Sequence, residues 1–183
     1  MANKISTGAP EKGPIIQAFG ALTASRIGLS VPVRLKSVAA LNRLLAHTMA
    51  LRDLYKKAHW QTSGPSFYEL HLLFDKHHGE QVDIMDALAE RVQTLGGVTL
   101  ALAHDVVETT RIARAPRGRE RPLHQLQRLL DAHEIVLEDA RPLAHEAADR
   151  GDDGTNDLLV SQVVRVNELQ SWFVAQHLAA RQR

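Results

Sequence analysis

The sequence predicts an all-α protein, a four-helix bundle with a short extra helix in the long connection between its second and third helices. Three observations predict it. Apolar residues recur at steps of three and four through four long stretches. Glycine- or proline-bearing breakers separate these stretches. One connection, residues 98–121, is too long for a simple turn.

Residues 1–32 mix Gly, Pro, Ser and Thr without a sustained period and read as a partly ordered arm, docked around Ile15–Leu29. Residues 33–183 form the bundle domain, with helices at roughly 33–62, 66–95, 123–150 and 155–181. In the first helix, Leu41, Leu44, Thr48, Leu51, Tyr55 and Ala58 make the buried face, and Ser63-Gly64-Pro65 stops it. Ser66 is placed to cap the second helix, with Glu69 completing a capping box, and Gly96-Gly97 ends it. The connection holds a short helix around His104–Thr110, then an irregular basic run from Arg114 to Arg119. The third helix starts near Pro122 and buries Leu126, Leu130, His133, Leu137, Ala140, Ala144 and Ala147, with a kink expected at Pro142. Gly151-Asp152-Asp153-Gly154 separates it from the fourth helix. There Thr155 is the expected cap, and Leu159, Val163, Val166, Leu169 and Phe173 the expected buried face.

Composition narrows the function. With 183 residues the chain is long enough to bury a sizeable core, and 44% hydrophobic residues suit a soluble protein. It has no cysteine, which excludes disulfide scaffolds, thiolate zinc sites and cysteine nucleophiles. No apolar run is long enough to cross a bilayer, and no secretory signal pattern opens the chain, so a cytoplasmic location with no membrane partner is expected. A formal net charge of +1 gives no general pull toward nucleic acid.

The chemistry concentrates in five residues: His59, His71, Asp75, Asp86 and Glu90. Imidazole and carboxylate without thiolate suit iron, manganese or zinc, and iron best where an oxidant must also bind. At helical pitch His71, Asp75, His78, Asp86 and Glu90 share a sector of roughly 120° on the second helix. Asp75 and Asp86 nevertheless lie roughly 16 Å apart along the axis, whereas a metal–carboxylate bond is only about 2 Å long. One helix cannot bring both to one ion. An antiparallel copy crossing between residues 80 and 81 sets Asp75 opposite Asp86 of the partner subunit and His71 opposite its Glu90. The expectation is two equivalent intersubunit sites across a two-fold axis, each completed by His59.

The run His59-Trp60-x4-Pro65-x-Phe67-x3-His71-x3-Asp75-x10-Asp86-x3-Glu90 closely resembles the Dps family, the mini-ferritins of the ferritin-like superfamily named as DNA-binding proteins from starved cells. Gly151-Asp-Asp-Gly-Thr-Asn-Asp157 with Leu158-Leu159, and Glu168-x3-Trp172-Phe173, extend the resemblance over roughly residues 33–180. It implies a homo-dodecameric hollow shell built from two-fold dimers. It implies ferroxidase activity: Fe(II) oxidised by hydrogen peroxide or oxygen, ferric mineral stored inside, and protection against oxidative damage. It assigns His59, His71 and Asp75 from one subunit, and Asp86 and Glu90 from its mate, to a di-iron or mono-iron site at which zinc or manganese would compete. Trp60, beside the site, is placed to intercept a stray oxidising equivalent or simply to pack in the core. Asp152, Asp153 and Asp157 fall where the family lines its three-fold pores, where carboxylates would attract Fe(II).

His77-His78 departs from the pattern. His78 lies on the ligand face, opposite Asp83 of the partner subunit in the antiparallel arrangement. It is a candidate auxiliary ligand or a group tuning the site, against a plain hydrogen-bonded interface histidine. His77 points away. His47, His104, His124, His133, His145 and His177 have no ligand spacing, and His133 belongs to the core. A second reading is a nucleoid-condensing DNA-binding protein with a secondary metal site. Its cations would be Lys4, Lys12 and Arg26 against Glu11 in the arm, plus Arg181 and Arg183. A larger ferritin needs Glu-x-x-His pairs on two helices; the chain offers only Asp75-x-x-His78.

Overall fold

Helix α1 (Val31–Gln61) begins with Pro32 in its first turn, where a missing N–H is no loss and the fixed φ suits a helix. It ends as the Thr62 N–H bonds the Ala58 carbonyl, before Gly64 takes the left-handed φ of +99°. Helix α2 (Phe67–Thr94) turns back along it, α3 (Ala103–Thr109) follows in the connection, and α4 (Pro122–Asp149) starts the second pair. The last rod is continuous but not uniform: α5 (Asp153–Leu158), a π-helical stretch (Leu159–Val164) and α6 (Arg165–Ala179). A computed structural model describes residues 13–179. Lys4, Glu11, Lys12, Arg181 and Arg183 lie outside the described residues.

The two helical hairpins pack into a four-helix bundle with one long connection, the ferritin-like arrangement. The six positions expected to be buried on α1 are buried. Each leucine among them contributes about 2 kcal/mol by leaving water. Gly96 and Gly97 are required where α2 ends. Gly96 has φ +82° and a Cβ there would meet the Thr23 carbonyl at 2.8 Å; one on Gly97 would meet Val38 at 2.6 Å. The arm docks at this point. Thr23 N–H bonds the Gly96 carbonyl at 2.9 Å, and Arg34 donates to the Thr23 and Leu95 carbonyls at 3.1 and 3.0 Å. Its polar groups hold it, while Ile15, Ile16 and Phe19 stay exposed. Asn42 pins the connection, donating to the Val98 carbonyl and accepting from Leu100 N–H.

Several local expectations are corrected. Ser66 precedes α2 but its side chain makes no capping bond; its backbone is not in the extended conformation that aims a hydroxyl at the first turn. The cap of α5 is Asp152, which accepts from Thr155 N–H, so the helix starts two residues earlier than expected and Thr155 is buried. On α4, Leu129, Ala132 and Val136 are buried while Leu130 and Leu137 are only half-buried. Pro142 lies within α4, which remains helical through it; Glu138, whose carbonyl the proline cannot satisfy, is on the solvent side. On the last rod Leu159 and Val163 are buried as expected, but Asn167, Gln170 and Val174 replace Val166, Leu169 and Phe173. The π-helical stretch adds a residue to its turn and moves every later side chain on by one position.

A polar layer crosses the middle of the bundle. Tyr55 Oη lies 2.5 Å from His133 Nε2 and 3.1 Å from His77 Nδ1. His133 Nδ1 lies 2.8 Å from Asn167 Oδ1, which also accepts from Gln81. Gln81 donates to Gln170, and Gln170 to Glu80. Asn167 gives its own amide protons to the Val163 carbonyl, so its Oδ1 accepts and His133 Nδ1 donates. The His133 Nε2 lone pair then takes the Tyr55 proton, and Tyr55 accepts from His77.

Burial pushes His133 down to about 3 and His77 to about 4, so both are neutral in the folded protein. A depressed folded value means the unfolded chain binds the proton more tightly. The stability these groups contribute is complete above 6.5, the ordinary imidazole value, and is lost as pH falls toward the folded values. We expect the denaturation midpoint to decline below that pH, and to decline less in His133→Gln, which cannot protonate. Denaturant titrations across pH check this.

Candidate metal site

The short turn between α1 and α2 brings the last turn of one against the first turns of the other, and with them His59 and His71. Each ring bonds the other residue's backbone: His59 Nδ1 to the His71 carbonyl at 2.9 Å, His71 Nδ1 to the His59 carbonyl at 3.0 Å. A carbonyl only accepts, so both rings hold a proton on Nδ1; when neutral, each keeps its lone pair on Nε2. The rings stack with centroids 3.8 Å apart, and Phe67 packs 5.1 Å from His71. This exchange orients both imidazoles and fixes the tautomer whose lone pair is on Nε2, the one a metal would need there.

Asp75, one turn beyond His71, is 51% exposed and 3.8 Å from His59 Nδ1. Its Oδ1 accepts from Lys56 at 2.7 Å. The ammonium holds the carboxyl below the usual carboxylate range, helped by the nearby His59. Sequence reasoning missed Lys56; its place one turn before His59, on the same face, was the available signal. Trp60 is 70% exposed, so it does not pack in the chain's own core. His78 is half-buried, with its pKa lowered first by burial and then by Lys56 and Arg52.

Asp86 and Glu90 lie exposed farther along α2, and neither carboxylate makes a hydrogen bond or ion pair among the described residues. The chain thus gathers His59, His71 and Asp75 at one end of α2 and leaves the two later carboxylates apart. Among the described residues no group of three or more His, Asp or Glu side chains is placed to hold a metal. The donors are oxygen and imidazole nitrogen, which fit iron. What one chain presents is an open set.

The acidic run after α4 divides. Asp153 and Asp157 are exposed. Asp152 is wholly buried, paired with Arg91 at 2.5 Å and accepting from Ser37 at 2.6 Å and from Thr155. Burial alone would raise its pKa, but the bonds from Ser37, Thr155 and Arg91 outweigh that and hold it below the usual range. Within the chain the Asp152 carboxylate caps α5 and clamps it to α2, and Asp153 and Asp157 are the carboxylates of this run that face solvent.

Residues 38–183 match the ferritin-like domain, and the chain belongs to the ferritin-like family. Within it the likeness is to Dps proteins. DpsC from Streptomyces coelicolor superimposes with a TM-score of 0.89 at 51% identity, over 90% of this chain and 96% of that one. A nutrient stress-induced DNA-binding protein from a Synechococcus strain is 30% identical over 165 residues, 90% of this chain and 93% of its own length. The Dps protein of Vibrio cholerae O1, described as a member of a broad superfamily of ferritin-like diiron-carboxylate proteins, has a TM-score of 0.79 at 27% identity, over 86% of this chain and 99% of that one. No helix among the described residues is long and apolar enough to cross a membrane.

Replacing Lys56 with Met is expected to return the Asp75 carboxyl toward its ordinary value of 3.8. Carboxyl-carbon NMR titration of aspartate-labelled protein, with Asp75→Asn to assign the resonance, checks it. An unmoved Asp75 would count against the lysine.

Proposed function

We propose that the chain is an iron-oxidising mini-ferritin, which oxidises Fe(II) with hydrogen peroxide or oxygen at sites completed by a two-fold partner and stores ferric mineral in a hollow twelve-subunit shell. One observation carries the reading most: the locked pair His59–His71 beside Asp75 is an oriented but incomplete donor set, and farther along α2 the exposed Asp86 and Glu90 carboxylates have no partner among the described residues. Family membership supports iron as the substrate, and the diiron-carboxylate description of the Vibrio cholerae protein points the same way.

In this reading the Nε2 atoms of His59 and His71 and the Asp75 carboxylate receive Fe(II), with Lys56 keeping Asp75 charged until iron displaces it. Asp86 and Glu90 of the partner subunit close the site. Two Fe(II) ions give one electron each, and peroxide takes both with two protons to leave two waters, so no hydroxyl radical is released. His78 is an auxiliary group at the edge of the site. Asp153 and Asp157 are the exposed carboxylates that would draw Fe(II) toward an entry pore.

With Fe(II) loaded anaerobically and peroxide or oxygen then added separately, the expected result is oxidation well above buffer and a soluble ferric product. Asp86→Ala should slow it roughly tenfold or more. Co-assembling His59→Ala chains with Asp86→Ala chains tests the shared site. Random pairing leaves about a quarter of two-fold sites intact, so activity returns to about that fraction, whereas a site within one chain would recover nothing. Oxidation no faster than buffer sinks the reading.

The second reading, DNA packing, is favoured by the name of the Synechococcus relative. Binding of long DNA that weakens steeply as salt rises, in a gel-shift series, and is lost on removing residues 1–31 would support it.

A further inference from the structure

Away from the metal donors and from the polar layer, Thr110, His47 and Asp139 form a directed chain of hydrogen bonds. The His47 side chain is wholly buried, with Nδ1 3.0 Å from Thr110 Oγ1 and Nε2 3.2 Å from Asp139 Oδ2. Arg43 and Arg111 clamp the same carboxylate at 3.0 and 2.7 Å. A carboxylate only accepts, so the imidazole holds its proton on Nε2 and, when neutral, keeps its lone pair on Nδ1. Thr110 is therefore the donor. Its hydroxyl also accepts from the Ile112 N–H at 3.2 Å, which fixes the oxygen in place. The Thr110 N–H, bonded to the Val106 carbonyl at 2.9 Å, holds the residue at the end of α3.

Hydroxyl, neutral imidazole and carboxylate in that order are the parts of a nucleophile, its base and the group that orients the base. A buried histidine can make such bonds merely to pin a loop. What sets Thr110 apart is its place: half-buried, it lines a cavity of about 550 Å³ between α1 and the connection. Sites for small molecules run from roughly 300 to 1,000 Å³. Met49, Leu54, Val106 and Ile112 make the walls apolar. Arg114 lines the cavity too, is exposed, and has no carboxylate partner among the described residues. The base is sealed behind the wall, and the hydroxyl is part of the wall.

We propose that Thr110 is an acyl-accepting nucleophile, giving the protein an esterase activity toward carboxylic esters whose apolar acyl chain lies in this cavity. Thr110 Oγ1 attacks the ester carbonyl carbon as its proton passes to His47 Nδ1. The bond from that carbon to the alkoxy oxygen then breaks, and His47 gives the proton to the departing alcohol. Water attacks the acyl-threonine, losing its proton to His47, and Thr110 Oγ1 takes the proton back as the carboxylic acid leaves. Asp139 keeps the Nε2 proton throughout and stabilises the imidazolium. The Arg114 guanidinium is the cation available to the oxyanion formed at each attack. Burial lowers the His47 pKa; the bond to Asp139 and its charge oppose this, while Arg111 and Arg43 add to it. The ring is thus neutral and able to accept a proton near pH 7. No iron takes part, so the activity does not depend on the ferroxidase reading.

Assembled, metal-free protein is mixed with p-nitrophenyl hexanoate, and p-nitrophenolate release is followed by stopped flow. The expected trace is a burst stoichiometric with chains followed by slower turnover, with a hexanoyl group on Thr110 in peptide mass spectra. Thr110→Val and His47→Gln should each slow release about a hundredfold or more, whereas Thr110→Ser should retain the burst. The burst rate should fall as pH drops, with a midpoint below 6.5, the ordinary imidazole value, as His47 takes up a proton. A purely structural histidine would leave no such profile. Circular dichroism and particle size control for folding and assembly. Release from Thr110→Val as fast as from wild type overturns the proposal, as do hexanoyl groups found on lysines and not on Thr110. Release no faster than in buffer overturns it equally, and leaves the three residues as a latch on the connection.

Discussion

A straight helix holds Asp75 and Asp86 about 16 Å apart, and an ion bonds carboxylates at about 2 Å. That mismatch governs how α2 is furnished. Near its start, next to the end of α1, two imidazoles and a carboxylate are brought together, the imidazoles fixed by bonds to backbone carbonyls. Farther along, two carboxylates are exposed and have no partner among the described residues. The first group is built for orientation, with each imidazole tied to a backbone atom of the other's residue. The second is built for availability. A chain that made one complete site would have had to bend α2 or recruit a different helix, and neither has occurred.

The two polar clusters also differ in how water is handled. Lys56 and Asp75 meet at the surface, where their attraction is screened and exchangeable. One turn away, Tyr55, His77 and His133 are sealed in the bundle, where every proton has a designated acceptor. Such a layer gives the four helices a single register, because sliding any one of them by a turn would strand several polar atoms at once.

The bundle, its breakers and the separated donor groups were legible in the sequence because each rests on a regular period: 3.6 residues for the buried faces, and a fixed rise for the distance between carboxylates. The short helix before Thr110 and the start of α4 at Pro122 followed from the same reasoning. What was not legible depends on contacts between distant segments. Asp152 reads as one of two acidic residues in a glycine-flanked break, and only the fold shows that Arg91, 61 positions earlier, pairs with it. Lys56 looks like one half of an ordinary surface lysine pair until α2 sets Asp75 against it. Tyr55 and His133 each sit in an apolar stripe, and neither stripe reveals that the two meet 78 positions apart.

The π-helical stretch between Leu159 and Val164 does more than disturb a period. The final helix carries two superimposed apolar patterns one residue out of phase: Val166, Leu169 and Phe173 on one reading, Val164 and Val174 with the amides of Asn167 and Gln170 on the other. One extra residue in a single turn selects which pattern the bundle swallows. It turns the amides inward and leaves Leu169, Trp172 and Phe173 on display. The insertion works as a phase selector, and through it a local irregularity determines the character of a whole outer face.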